Sequence, residues 1–77
     1  MEFLKKEDIK IGVKFLSSGK HKRLCTVIDI LKTYNHKNEL VKTTYIEQHD
    51  FCGQTLKSEV SAVSVQIGNF EYLKTLK

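Results

Sequence analysis

The pattern of apolar and polar positions predicts a long β-hairpin in the middle of the chain. The run Leu24–Leu31 is rich in β-branched and apolar residues, and both of its faces are apolar, which is typical of a strand covered on both sides. Residues 35–38 favour a turn because asparagine tolerates the left-handed backbone region. A second strand follows to about residue 49. The pattern therefore predicts an antiparallel hairpin over about 23–34 and 39–49.

The short turn predicts how the two hairpin strands face each other. The predicted facing pairs are Tyr34 with Leu40, Ile28 with Ile46, and Cys25 with His49. A slip of one or two residues is an open alternative, and it would change which side chains share a face. Asp29 is unusual because it interrupts an apolar strand. It predicts a bulge or a pairing with a lysine, with a functional role as a third alternative.

Weaker patterns predict the elements on either side of the hairpin. Before it come a short strand at 13–17 and a loop at 18–20. After it come a turn at 50–54, a brief strand at 55–57, one short helical turn at 58–61, a last strand at 62–67 and a terminal helical turn at 70–74. The last strand is predicted from Val63, Val65 and Ile67, which alternate with polar residues.

This order of elements resembles a small SH3-like five-stranded β-barrel, with one short helical turn before the last strand. The resemblance implies a mostly β single domain over 1–77, with a core over about 9–68 and with 1–8 and 69–77 as lead-in and tail. The segments 31–35, 39–43 and 49–54 also resemble small uncharacterised proteins of bacteria, phages and plasmids. That second resemblance implies a bacterial or mobile-element setting and carries no established activity.

Composition limits the class of protein. The chain has 77 residues, of which 40% are hydrophobic, which is enough for one compact core. No apolar run approaches the roughly 18 residues of a membrane span, and the N-terminus carries charges where a signal peptide would be apolar. We expect a cytoplasmic, unprocessed protein. Cys25 and Cys52 are the only cysteines, which favours reduced thiols over a single disulfide.

The uneven charge favours a polyanionic partner. Residues 1–38 carry a net charge of +5 and residues 39–77 a net charge of −1. A basic surface of this kind attracts nucleic acid, although it also serves simply to keep a small protein dissolved. The candidate contacts with phosphate are Lys14, Lys20, Lys22 and Arg23, and the candidates for base stacking are Tyr34 and Tyr45. The alternative for both tyrosines is to cover the edge of the core.

The cysteines and histidines suggest a metal site without its usual spacing. His21 precedes Cys25 by four residues and His49 precedes Cys52 by three, and the hairpin would bring these four residues to one end. Zinc binds such side chains, but the chain lacks the Cys-x₂-Cys spacing of a zinc knuckle. The favoured expectation is therefore no metal and no cofactor.

No motif for catalysis is present. The chain has no glycine-rich phosphate loop, and nothing would orient His49 if it acted as a base for Cys52. The sequence predicts a non-catalytic binding module that binds nucleic acid through the basic segment and the hairpin. The alternative is a protein-interaction module, acting as a homodimer or as a binder of a host factor. A small metal-stapled domain is the third hypothesis.

Overall fold

The described part of the chain, residues 3–76, folds as an antiparallel sheet with a helix at its C-terminal end in a computed structural model. The sheet has four strands in the order β1-β2-β3-β4. The elements are a 3₁₀ turn (Lys6–Asp8), β1 (Lys14–Leu16), β2 (Leu24–Tyr34), β3 (Leu40–Phe51), β4 (Gln54–Val60) and α1 (Ala62–Thr75). The mostly β prediction is confirmed.

The predicted hairpin is formed by β2 and β3, and its turn is held by asparagines. The Asn35 carboxamide oxygen accepts hydrogen bonds from the backbone N–H groups of Lys37 at 2.8 Å and Glu39 at 3.0 Å. Asn38 has a φ of 62°, in the left-handed region that asparagine tolerates better than most residues. Tyr34 faces Leu40, as the turn predicts.

The register of the hairpin changes by one residue at a bulge. The pairing shifts between Val27 and Asp29, so Asp29 rather than Ile28 faces Ile46. A second irregularity between Thr33 and Tyr34 returns the register to that of the turn. The bulge predicted at Asp29 is confirmed, and the predicted pairing of Ile28 with Ile46 is wrong because the extra residue falls there.

The predicted five-stranded barrel is wrong, because within residues 3–76 the sheet is open and ends at β1 and β4. The predicted last strand at 62–67 is the first half of α1, and the predicted helical turn at 58–61 belongs mostly to β4. The Ser61 side chain explains where the helix begins. Its hydroxyl oxygen accepts a hydrogen bond from the Ser64 backbone N–H at 3.2 Å, which caps the helix N-terminus.

The core lies between the inner face of the sheet, α1 and the N-terminal segment. Its buried hydrophobic side chains are Ile9, Phe15, Cys25, Val27, Tyr45 and Val65. The sheet is curved around this core, since residues of β1 and β4 line the same groove of about 160 Å³ as Cys25 and Glu47 of the central strands. Ser64 of α1 lies at that groove as well.

Helix α1 packs closely against β1 because Gly68 has no side chain. A Cβ at this position would fall far inside the contact distance of the Leu16 carbonyl oxygen and 3.0 Å from the Phe15 ring. Two side-chain amides then fix the helix. Asn69 donates to the Lys14 carbonyl at 2.9 Å, and Gln66 donates to the Leu4 carbonyl at 3.0 Å. The helix therefore ties the N-terminal segment to the sheet.

Candidate functional site

Adjacent strands place a cysteine, a glutamate and a histidine on the inner face of the sheet. Side chains alternate between the two faces of a strand, so Glu47 and His49 of β3 share the inner face with the buried Tyr45. Thr26 faces Gln48 and Val27 faces Glu47, and this register brings Cys25 of β2 beside the same two residues. The predicted proximity of Cys25 and His49 is therefore confirmed.

Glu47 is a buried carboxylate that is satisfied by neighbouring side chains. It is 4% exposed. The His49 Nδ1 lies 2.8 and 2.9 Å from its two oxygens, and the Ser58 hydroxyl donates to Oε1 at 2.6 Å. Because an ionised carboxylate only accepts hydrogen bonds, Nδ1 carries the proton in this arrangement. These contacts repay part of the cost of removing the carboxylate from water.

Cys25 completes the cluster with a thiol that is 2% exposed. Burial, and secondly the negative charge of Glu47, raises the pKa of this thiol from 9.0 to about 11, while the nearby Arg23 charge opposes the shift. The thiol is therefore protonated at neutral pH and is a weak nucleophile in this state. Its Sγ lies 3.5 Å from the Arg23 carbonyl oxygen.

One donor atom from each of Cys25, Glu47 and His49 lies within 4.8 Å of the other two. We call these three residues the inner cluster. Cys25 and Glu47 also line the groove of about 160 Å³, whose rim includes the hydroxyl-bearing Ser58 and Ser64. A sulfur, a carboxylate and an imidazole converge there from two hydrogen-bonded strands, beside a groove lined by both serine and apolar side chains.

The other two residues predicted as metal candidates do not belong to the inner cluster. His21 is exposed in the loop between β1 and β2, and Cys52 is exposed in the turn between β3 and β4. Both cysteines are free thiols. Glu47 was not predicted as a ligand. Its position two residues before His49 is the signal, since residues at that spacing share a face of a strand.

The predicted phosphate contacts lie at the end of the sheet farthest from the hairpin turn. Lys20 and Lys22 are exposed in the loop of residues 17–23, which we call the basic loop. The loop is closed by hydrogen bonds from the Ser17 backbone N–H to the Arg23 carbonyl at 2.8 Å and from the Arg23 N–H to the Ser17 hydroxyl at 2.9 Å. The Arg23 guanidinium stacks over the Phe51 ring, 4.3 Å from its centroid.

The predicted stacking residues do not join this basic end. Tyr45 is 4% exposed in the core, so its predicted role in base stacking is wrong, because the register turns it to the inner face. Tyr34 is 54% exposed, but it lies at the opposite end of β2. Tyr34 is the last of the eleven residues of β2, whose first residue follows the basic loop, which puts it at a distance of about 35 Å from that loop.

A polar row crosses the outer face of the sheet beside the basic loop. Lys14 faces Thr26, Thr26 faces Gln48, and Gln48 faces Lys57, with one residue from each of the four strands. Lys14 donates to the Thr26 hydroxyl at 3.3 Å. The two lysines are exposed at the two edges of the sheet. No local pattern in the sequence points to Lys57, since only the strand register brings it into line with Lys14.

Comparison of the chain with protein families, curated proteins and solved structures finds no match in any of the three. Among the described residues, no helix has both the length and the apolar character needed to cross a membrane.

Proposed function

We propose that this protein is a non-catalytic nucleic-acid-binding module that contacts the phosphate backbone at the basic end of its sheet. The contacts would come from Lys14, Lys20, Lys22 and Arg23, joined by Lys57 on the outer face. The exposed aromatic ring at this end, Phe51, is already stacked against the Arg23 guanidinium. Binding would therefore be electrostatic and largely independent of base sequence.

The observation that supports this proposal is that the basic side chains are not neutralised within the protein. Among residues 3–76, the pair of His49 and Glu47 is the one contact within 4.0 Å between a basic and an acidic side chain. The lysines of the basic loop and of the polar row are exposed and make no ion pair. Binding a phosphate would therefore break no internal ion pair, and it would release counterions from the nucleic acid.

Fluorescence anisotropy with labelled single- and double-stranded DNA and RNA, at low and near-physiological salt, tests the proposal. A dependence of log K on log salt with a slope of about −4 is expected for five phosphate contacts, since each contributes about −0.7 to −0.9. The triple variant Lys14→Glu, Lys20→Glu, Lys22→Glu should lose binding. These three lysines are all exposed, so their replacement leaves the core unchanged.

A matched control separates a local site from net charge. The variant Lys32→Glu, Lys37→Glu, Lys42→Glu changes the same number of exposed lysines at the hairpin end. It should keep most of the affinity if the basic end is the site. Equal losses in the two variants would show that only net charge matters. No binding of the wild-type protein at low salt would refute the proposal.

A protein-interaction module is the second candidate, and the hairpin favours it. β4 pairs with β3 only from Tyr45 onward, so the segment 40–44 has one edge without a neighbouring strand. Several apolar side chains near it are exposed, namely Leu31, Tyr34, Leu40 and Val41. Such an edge can accept an extended strand from another protein. If two copies of this chain paired antiparallel through this edge, centred on Lys42, the two Lys42 side chains would face each other. Their like charges would repel, which favours a different polypeptide as the partner.

The second candidate makes a different prediction for variants. Charge on a free edge discourages strand addition, so Leu40→Lys with Val41→Lys should abolish cross-linking to a partner polypeptide in host-cell extract. The variant of the three basic-end lysines should leave the same cross-link unchanged. A cross-link that survives the edge variant would contradict strand addition.

A further inference from the structure

We infer that the inner cluster is a binding site for a divalent transition-metal ion of the zinc class, with Cys25, Glu47 and His49 as its protein ligands. This inference does not depend on the proposed binding of nucleic acid. It uses a set of residues on the inner face of the sheet, whereas the basic loop and the polar row use the outer face and one end.

The donor atoms fit this class of ion by type. Thiolate sulfur, imidazole nitrogen and carboxylate oxygen are the ligands that zinc takes in proteins, whereas magnesium and calcium prefer oxygen ligands only. The inner cluster supplies one of each from three buried or half-buried side chains. Exposed acidic residues come together on many protein surfaces, but Glu47 is 4% exposed and has no acidic neighbour in the cluster.

The spacing of the donors also fits. Bonds of about 2.0 to 2.3 Å in tetrahedral geometry place two ligand atoms about 3.3 to 3.7 Å apart. The three donors lie within 4.8 Å of one another, and Nδ1 of His49 is 2.8 Å from the nearer Glu47 oxygen. Shifts of the donor atoms of about 1 Å would lengthen the short contact between His49 and Glu47, shorten the longer separations and admit the ion.

Metal binding would exchange protons for the ion. The Cys25 thiol gives up its proton to solvent as the sulfur–metal bond forms. The proton on Nδ1 of His49 moves to Nε2, so that a neutral imidazole binds through Nδ1. The Glu47 carboxylate provides the third bond without losing a proton. Thiolate and carboxylate together balance the two positive charges of the ion.

The neighbours of the cluster resemble the surroundings of a metal site with an open position. The Ser58 hydroxyl holds one oxygen of Glu47 at 2.6 Å, and so acts as a positioning residue for that ligand. The groove lined by Cys25, Glu47, Ser58 and Ser64 leaves room for water as a fourth ligand. Three protein ligands with one open position differ from the closed four-ligand arrangement of a structural zinc site.

Cobalt(II) titration of the tag-free chain of 77 residues, after treatment with a chelator, tests the site directly. The expected result is a near-ultraviolet charge-transfer band from thiolate to cobalt that saturates at one ion per chain and disappears when zinc is added. Absence of the band in the folded wild-type protein would overturn the inference. The three side chains would then form a structural hydrogen-bonded cluster only.

Variants identify which cysteine and histidine bind the ion. Cys25→Ser should lose the charge-transfer band. His49→Gln should bind cobalt so weakly that the titration no longer saturates at one ion per chain. Cys52→Ser and His21→Gln are the matched controls, and they should keep both. A band that depends on Cys52 instead would contradict the assignment. Circular dichroism of each variant without metal establishes that it is folded.

Thermal unfolding with zinc and the Ser58→Ala variant provide two further, independent tests of the metal site. Zinc should raise the Tm of the wild-type protein and of Cys52→Ser, and leave the Tm of Glu47→Gln unchanged. Ser58→Ala should keep the cobalt band while raising the Kd about 10- to 100-fold, as expected for a residue that orients a ligand. An equal rise in Tm in Glu47→Gln would show that zinc binds elsewhere, and that result would also overturn the inference.

Discussion

At the scale of single residues, Gly68 shows that packing against a neighbouring strand can outweigh helix propensity in determining which residue a helical position tolerates. Alanine is a better helix former than glycine by about 1 kcal/mol, so helix propensity favours Gly68→Ala. In this structure Gly68→Ala is destabilising instead, because a Cβ at residue 68 would collide with the Leu16 backbone. The cost of the collision exceeds the gain in propensity.

We therefore expect Gly68→Ala to lower the free energy of unfolding by about 2 kcal/mol, which is the scale of an overpacked core. Urea unfolding followed by circular dichroism measures the change. Val63→Ala is the control, since Val63 is 60% exposed on the same helix and should change stability little. A Gly68→Ala variant as stable as the wild type would show that α1 does not pack on β1 as described.

The two cysteines should differ sharply in reactivity. Cys52 is exposed in a turn, whereas Cys25 is 2% exposed and its pKa is raised to about 11. In the presence of a chelator at pH 8, iodoacetamide should add one group quickly, at Cys52. A second group should appear only in denaturant, because the thiolate is the reactive form and Cys25 is protonated and buried. Intact-mass spectrometry gives the count, and equally fast modification of both thiols would be inconsistent with the structure.

At the scale of elements, the hairpin was predictable and the helix was not. Asn35, Asn38 and the long apolar run define the hairpin locally, so β2 and β3 were predicted to within two residues at every end. The spacing of Val63, Val65 and Ile67 is compatible with a half-buried strand. In the helix the same spacing turns Val65 into the core and leaves Val63 and Ile67 exposed, because they are four residues apart on one side.

The part of the candidate site that depends only on the register of the hairpin was predictable from the sequence. The turn aligned Cys25 with His49 correctly, because the bulge lies on the turn side of Val27 and the register returns before the turn. The sequence left two roles open for Tyr45, base stacking and covering the core, since Tyr45 and Ile46 are both apolar and the alternation does not decide which one faces inward. The polar row of Lys14 and Lys57 depends on pairing between distant strands, which no local pattern reveals.

The N-cap is the local signal that distinguishes the helix from the predicted strand. Ser61→Ala should lower the free energy of unfolding by about 1 kcal/mol, because the Ser64 backbone N–H loses its hydrogen-bond acceptor. Ser61→Asp should restore most of this loss, since aspartate also caps helices. Urea unfolding of the three proteins measures both effects. If alanine and aspartate are equally stable at this position, the cap contributes nothing.

At the scale of the whole molecule, the helix and the sheet depend on each other. The buried residues of α1 are Val65 and Gly68, and Ala62, Phe70 and Leu73 are half-buried, so the helix needs the rest of the protein to cover its apolar side. An isolated helix of 14 residues is marginally stable in water. The sheet also depends on the helix. It is open between β1 and β4, and α1 packs on β1 and covers part of the core.

This mutual dependence predicts one cooperative unfolding transition for the whole chain. Helix content, followed by far-ultraviolet circular dichroism, and tyrosine packing, followed by near-ultraviolet circular dichroism, should give the same urea midpoint. The buried Tyr45 makes the second signal sensitive to the sheet. Gly68→Ala should move both midpoints together, although the substitution lies in the helix. A helix signal lost at lower urea than the tyrosine signal would mean that the sheet is stable without α1, and that the helix only covers a fold already complete.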